Sequence, residues 1–170
     1  TQIDATIRNV PDFPQPGILY KDITPVLADP TLMKSIQQAL KAAYVSENVD
    51  VVVGIESRGF IFGTPLALDL DAAFVPVRKP GKLPVEVVRT DYTLEYGSGS
   101  LEMHADAIQP GQRVVIVDDL LATGGTLSAA KTLVEEVGGV VVGCAVVINL
   151  SFLNGAERLG DTPVLSLIDY

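Results

Sequence analysis

Short apolar runs without polar alternation constrain this sequence more than any other feature. Val51–Ile55 and Val114–Val117 contain no polar side chain, and Val140–Leu150 is nearly as apolar. A strand with one face in water alternates apolar and polar residues. A strand that does not alternate is covered on both faces, as in a parallel sheet flanked by helices. Ala73–Val77 and Pro163–Ile168 read as two further strands. The intervening segments read as helices. Leu32, Ile36, Leu40 and Tyr44 recur every four residues behind Asp29–Pro30, an N-cap followed by a proline in the first turn. Phe60–Leu70 is expected to be helical despite Pro65. Leu127, Ala130, Val134 and Val137 mark another helix, closed by Gly138–Gly139. Strands alternating with helices predict one α/β domain over residues 1–170, with a central, mostly parallel sheet. Ligands of such sheets bind at the carboxyl ends of the strands. Three loops meet that condition: after Ile55, after Val77 and after Val117.

Two segments depart from the pattern. Five prolines between residues 9 and 30 predict an ordered but irregular N-terminal arm over residues 1–30. Residues 85–103 alternate like two hairpin strands around Gly97-Ser98-Gly99-Ser100, which predicts a mobile antiparallel flap.

Charge narrows the partners. Twelve Lys and Arg face 21 Asp and Glu, a net charge of -9. That argues against nucleic acid and against an anionic membrane, both of which reward clustered cations. Yet Arg58, Arg78, Lys79, Lys82 and Arg89 gather within residues 57–90, beside only Asp69, Asp71 and Glu86. The apolar fraction of 48% can build a core without metal or disulfides. The single cysteine, Cys144, lies in a valine-rich run and reads as core; its lack of a partner predicts a reducing, cytoplasmic setting. Residues 1–10 show no secretory-signal pattern, and no apolar run is long enough to span a membrane. The lone histidine, His104, reads as a surface residue.

Val114–Thr126 carries the chemistry. A buried strand delivers Asp118 and Asp119, and the small-residue turn Ala122-Thr123-Gly124-Gly125-Thr126 then opens a helix. Glycines let a ligand approach the backbone, and unpaired N–H groups at a helix start cradle an anion. The turn has no lysine and is neither a P-loop nor a dinucleotide fingerprint. Either half alone is ordinary: acidic pairs are mostly solvated, and Gly-Gly often makes a plain turn. Together they fit a phosphorylated sugar, with vicinal ribose hydroxyls donating to the carboxylates and the 5-phosphate in the cradle.

Here the sequence resembles the phosphoribosyl-pyrophosphate (PRPP) binding motif of type I phosphoribosyltransferases. With Asp12-Phe13-Pro14, Pro16–Asp22, Glu56–Phe60, Arg78–Pro84 and Leu94-Glu95-Tyr96-Gly97, it resembles the adenine-specific members of that family from about Pro11 to Leu150. The resemblance implies the type I fold, with the arm as a hood over the base. It implies transfer of the phosphoribosyl group from PRPP to adenine, giving AMP and pyrophosphate, with Mg2+ held mainly through PRPP, in a homodimer. Asp118, Asp119 and Ala122, Thr123, Gly124, Gly125 and Thr126 match the PRPP/AMP positions. Ser57, Arg58, Arg78, Lys79 and Lys82 match those that meet pyrophosphate. Leu19, Tyr20 and Lys21 match the adenine pocket, and Leu120 with Leu121 is expected to supply its opposite wall. Glu95 matches the acid/base for the purine imidazole proton, and Tyr96 a residue that closes the site. The resemblance also implies a cis peptide in the Glu56-Ser57-Arg58 turn. Lys21 stands where many relatives have arginine. From the residues alone, Glu95 and Glu102 both remain candidates for the acid/base. A transferase for another base and a non-catalytic PRPP-sensing regulator are the competing readings.

Overall fold

The computed structural model describes residues 1–94 and 97–170, in two compact units, Thr1–Ala39 and Leu40–Tyr170. The first unit is more regular than its prolines suggest. It holds α1 (Gln2–Thr6), β1 (Arg8–Pro11), β2 (Leu19–Asp22), α2 (Thr24–Leu27) and the start of α3 (Pro30–Tyr44). β1 and β2 pair antiparallel, with Val10 opposite Tyr20. The prolines are accommodated at the end of β1, in the connection to β2 and in the first turns of α2 and α3, where no ladder N–H is lost. Asp29 caps α3 as expected: its Oδ1 accepts from the N–H groups of Thr31 (2.8 Å) and Leu32 (3.1 Å).

The apolar runs of the second unit become a parallel sheet. Its elements are β3 (Val51–Ile55), α4 (Arg58–Asp69), β4 (Ala73–Val77), the hairpin β5 (Val87–Thr93) and β6 (Ser98–His104), β7 (Arg113–Val117), β8 (Leu120–Leu121), α5 (Gly125–Glu136), β9 (Val140–Asn149) and β10 (Val164–Asp169). The strand order is β4-β3-β7-β9-β10, every neighbouring pair parallel, with short β8 added beside β9. All of β3 and Val114–Val117 are buried, as the absence of alternation demands. Leu127, Ala130, Leu133 and Val134 of α5 join Val53, Ile55, Ile116 and Cys144 in one core cluster. Each large apolar side chain buried there contributes roughly 1.5–3 kcal/mol. Burial pushes the Cys144 thiol up to about 12.

This order fixes where a ligand can bind. After β3 the chain crosses to β4 on one side, and the later strands build outward on the other. The crevice between the carboxyl ends of β3 and β7 is therefore the topological switch point. Both the Glu56-Ser57-Arg58 turn and Asp118-Asp119 emerge there.

Three local expectations change. α4 begins at Arg58, not Phe60, which puts that guanidinium on the first turn of the helix. Ser98–Ser100 belong to β6 and not to the turn. Gly99 stands opposite Tyr92, and a Cβ there would come within 2.6 Å of the ring, so the glycine admits an aromatic neighbour. His104 is half-buried at the end of β6, and its Nε2 is buried with no partner among the described residues. No described helix is long and apolar enough to cross a membrane.

Candidate active site

Backbone hydrogen bonds hold the acidic pair at the end of β7. Asp118 N–H donates to the Ala145 carbonyl (3.1 Å), and the Asp119 carbonyl accepts from Val147 (3.1 Å) and Ile148 (2.9 Å). The pair is therefore pinned to β9 and does not sit in a solvated turn. Asp119 is buried, and its carboxylate pairs with the Arg58 guanidinium from the first turn of α4. Asp119 N–H donates to Asp118 Oδ1 (2.8 Å). Burial pushes the Asp118 carboxyl well above the usual carboxylate range. The adjacent Asp119 charge adds to this, and Arg58 opposes it. One cation thus serves two carboxylates, an arrangement short of donors and suited to a ligand that brings hydroxyls.

The turn behind the pair is open-ended. Gly124 sits at φ 84° as the N-cap of α5 and supplies no side-chain cap. Gly124 leaves the first N–H groups of the helix without a side-chain cap, and the helix dipole favours an anion there. Arg58, Asp118, Asp119, Leu120 and Ala122–Thr126 line a cavity of about 210 Å³. Gly155, in the 3₁₀ turn Gly155–Leu159 after β9, backs this loop. A Cβ on Gly124 would lie 2.2 Å from Gly155 O, and one on Gly155 would lie 2.3 Å from Ala122 O.

A second cavity of about 260 Å³ also adjoins the pair. Glu56, Ser57, Arg58, Lys79, Tyr92, Asp118, Asp119 and Thr126 are among its lining residues. The two cavities share Arg58, Asp118, Asp119 and Thr126. The Glu56–Ser57 peptide is cis, as the resemblance implied. Glu56 accepts from Lys79 N–H (2.9 Å) and from the Arg78 guanidinium (3.3 Å). The Lys79 N–H above all, and then Arg78, holds its carboxyl below the usual range. Arg78 is thereby turned toward Glu56 and the Lys82 carbonyl (3.4 Å), and it lines neither cavity. Lys82 is exposed and lines neither. Of the cations singled out in the sequence, Arg58 and Lys79 are the ones that reach the switch point.

The other candidates stand as follows. Glu95 and Tyr96 lie outside the described residues. Glu102 is buried, and its carboxylate is engaged by Gly81 N–H (2.8 Å). Leu120, on β8, lines the smaller cavity. Leu19, Tyr20 and Lys21 lie on β2 of the first unit. There the Tyr20 ring packs edge-on against Phe13 (5.2 Å), and Lys21 Nζ donates to Asn9 Oδ1 (2.8 Å). Among the described residues no group of three or more His, Cys, Asp and Glu is placed to hold a metal. Sequence reading missed Gly155, although Asn154-Gly155 is a turn signal that could have flagged it. It also missed Glu56 as the anchor of the Arg78–Lys79 backbone.

The family model described as a phosphoribosyl transferase domain matches residues 23–163. An adenine phosphoribosyltransferase of Sorangium cellulosum (strain So ce56) is 58% identical, over 99% of this chain and 86% of the relative. The crystal structure of adenine phosphoribosyltransferase from Thermoanaerobacter pseudethanolicus superposes with a TM-score of 0.96 at 50% identity, covering 99% of this chain and 98% of that one. The enzyme from Saccharomyces cerevisiae, complexed with an imino-altritol bisphosphate and adenine, superposes with a TM-score of 0.92 at 41% identity, covering 98% and 97%.

Proposed function

The chain belongs to the phosphoribosyltransferase family, and from that membership we propose that it transfers the 5-phosphoribosyl group of PRPP to adenine, giving AMP and pyrophosphate in purine salvage. One observation carries this reading: Arg58, Asp118 and Asp119 stand where two cavities meet, and one cavity is walled by an uncapped helix start. A sugar bound across that junction has its 5-phosphate against Ala122–Thr126 and its 2- and 3-hydroxyls on Asp118 and Asp119. Its pyrophosphate then faces Ser57, Arg58 and Lys79 in the second cavity. Relatives named for adenine, one of them complexed with adenine and a bisphosphate, support the choice of base.

In the reaction the bond from the anomeric carbon to pyrophosphate breaks as the bond to adenine N9 forms, through an oxocarbenium-like transition state. Negative charge grows on the leaving group, where Arg58 and the Lys79 ammonium oppose it. Asp118 and Asp119 orient the ribose and place carboxylate charge beside the cationic ring. Glu95, by its match to the family motif, takes up the imidazole proton of the purine. Leu19, Tyr20 and Lys21 contribute to the adenine pocket by the same match. Tyr96, by the same match, is a residue that closes the site, and closure limits hydrolysis of PRPP.

Magnesium fits this donor set as a companion of the substrate. Two carboxylates, one already paired with Arg58, suit an ion coordinated mostly by phosphate, ribose and water oxygens. The ion supplies charge neutralisation on the pyrophosphate. A homodimer in a cytoplasmic setting completes the reading. Titration calorimetry of PRPP with Mg2+ tests the site. The wild type is expected to bind PRPP, and Asp118→Asn combined with Asp119→Asn is expected to lose most of that affinity. Unchanged affinity in the double variant contradicts the assignment.

A further inference from the structure

β6 carries a buried carboxylate for which the reaction above has no use. Glu102 is 8% exposed, and its Oε1 accepts Gly81 N–H at 2.8 Å. Its backbone is tied to the same loop. Arg78 N–H donates to Glu102 O (2.9 Å), and Glu102 N–H donates to Arg78 O (2.8 Å). This is a one-residue antiparallel bridge between β6 and the loop that follows β4. Lys79 lies between the two fastened residues, Arg78 and Gly81, and lines the switch-point cavity. Its own N–H is held by Glu56.

The energetics favour a fixed loop. Residues 79–82 are mostly exposed, so apolar packing does little to order them. Gly81, at φ 80°, turns its N–H to the buried carboxylate. A hydrogen bond to a charged acceptor in a partly dry site is among the stronger ones available. Losing it leaves the far end of the loop held by the long Arg78 contact to the Lys82 carbonyl (3.4 Å), while the backbone bridge at Arg78 remains.

We propose that Glu102 is a positioning residue that fastens the 78–82 loop to the hairpin β5–β6, so that Lys79 is presented to the pyrophosphate from a loop tied to the element whose Tyr92 and Leu101 line the same cavity. The proposal rests on the phosphoribosyl-transfer reading. It gives Glu102 a task different from proton transfer, the role that the residues alone had left open to it. An acceptor of an N–H keeps working as an amide, because the glutamine carbonyl accepts as well. A general base does not.

Steady-state kinetics on wild type, Glu102→Gln and Glu102→Ala, with amide exchange at Gly81, test it. Glu102→Gln is expected to stay within about threefold of wild type in every constant. Glu102→Ala is expected to raise the KM for PRPP by about tenfold, the size of a lost charge-assisted hydrogen bond. The KM for adenine should move much less, and the Gly81 amide should lose protection. Any of three results overturns the proposal: Glu102→Gln losing turnover as Glu102→Ala does, an unchanged PRPP KM in Glu102→Ala, or both KM values rising together with a lowered Tm. If Glu102→Ala does not fold, Gly81 protection decides. Slow exchange in wild type and Glu102→Gln supports the fastening, and free exchange in either overturns it. A wild type that makes no AMP from PRPP and adenine refutes the transfer reading instead, and Gly81 exchange still reports on the fastening.

Discussion

Gly124 and Gly155 stand backbone against backbone: a Cβ on Gly124 would lie 2.2 Å from the Gly155 carbonyl oxygen. The anion cradle is thus shaped from behind by a residue far along the chain. Gly155→Ala places a methyl 2.3 Å from Ala122 O and must displace the turn. Misplacement of about 1 Å at a reacting centre costs on the order of a hundredfold. The variant is expected to fold and to lose at least about tenfold in kcat/KM for PRPP. Wild-type kinetics in Gly155→Ala contradict the contact's role.

Asp118 accepts with both carboxylate oxygens only when ionised, and burial with the Asp119 charge raises its pKa. The acid limb of kcat/KM for PRPP should therefore lie above the ordinary aspartate range. Removing the like charge in Asp119→Asn, which also leaves Arg58 to Asp118, should move that limb to lower pH while lowering the plateau. A pH–rate profile in which the limb stays or moves upward contradicts the coupling.

Glu56 has the opposite sign. Its folded pKa is depressed, first by Lys79 N–H and then by Arg78. The stability it contributes is fully present above its ordinary value of 4.5 and is lost as pH falls through the lower folded value. Wild type should exceed Glu56→Gln by about 1 kcal/mol near neutral pH. The gap should close below pH 4.5 in urea titrations. A gap that is constant down to pH 3 rules out the ionised contact.

Glu95→Gln should lower turnover far more than PRPP affinity, because it removes a proton acceptor and leaves the phosphate and ribose contacts in place. Near-normal turnover moves the proton-transfer role elsewhere.

The sheet was legible in the sequence because strands covered on both faces cannot alternate, and Val51–Ile55 and Val114–Val117 do not. The acidic pair and its cradle were legible because their whole constellation is contiguous. Other features depend on chain segments brought together only by folding. Gly155 reaches the cradle through the return of the chain after β9. The choice between Arg78 and Lys79 depends on which one Glu56 pulls aside, and no spacing rule encodes that. Glu102 and Glu95 look alike on a hairpin, yet only packing against the 78–82 loop makes Glu102 a buried acceptor. Ser98–Ser100 read as turn residues because the strand they pair with, Asp91, Tyr92 and Thr93, is recognised as their partner only once the hairpin forms.

The central claim is that the switch-point cavities turn PRPP and adenine into AMP and pyrophosphate. The most direct test is an assay of the purified chain with PRPP, Mg2+ and, separately, adenine, hypoxanthine, guanine, xanthine and orotate. AMP from adenine, with no nucleotide from the other four bases, is the expected result. PRPP binding with no product from any base, or product from a base other than adenine, contradicts it.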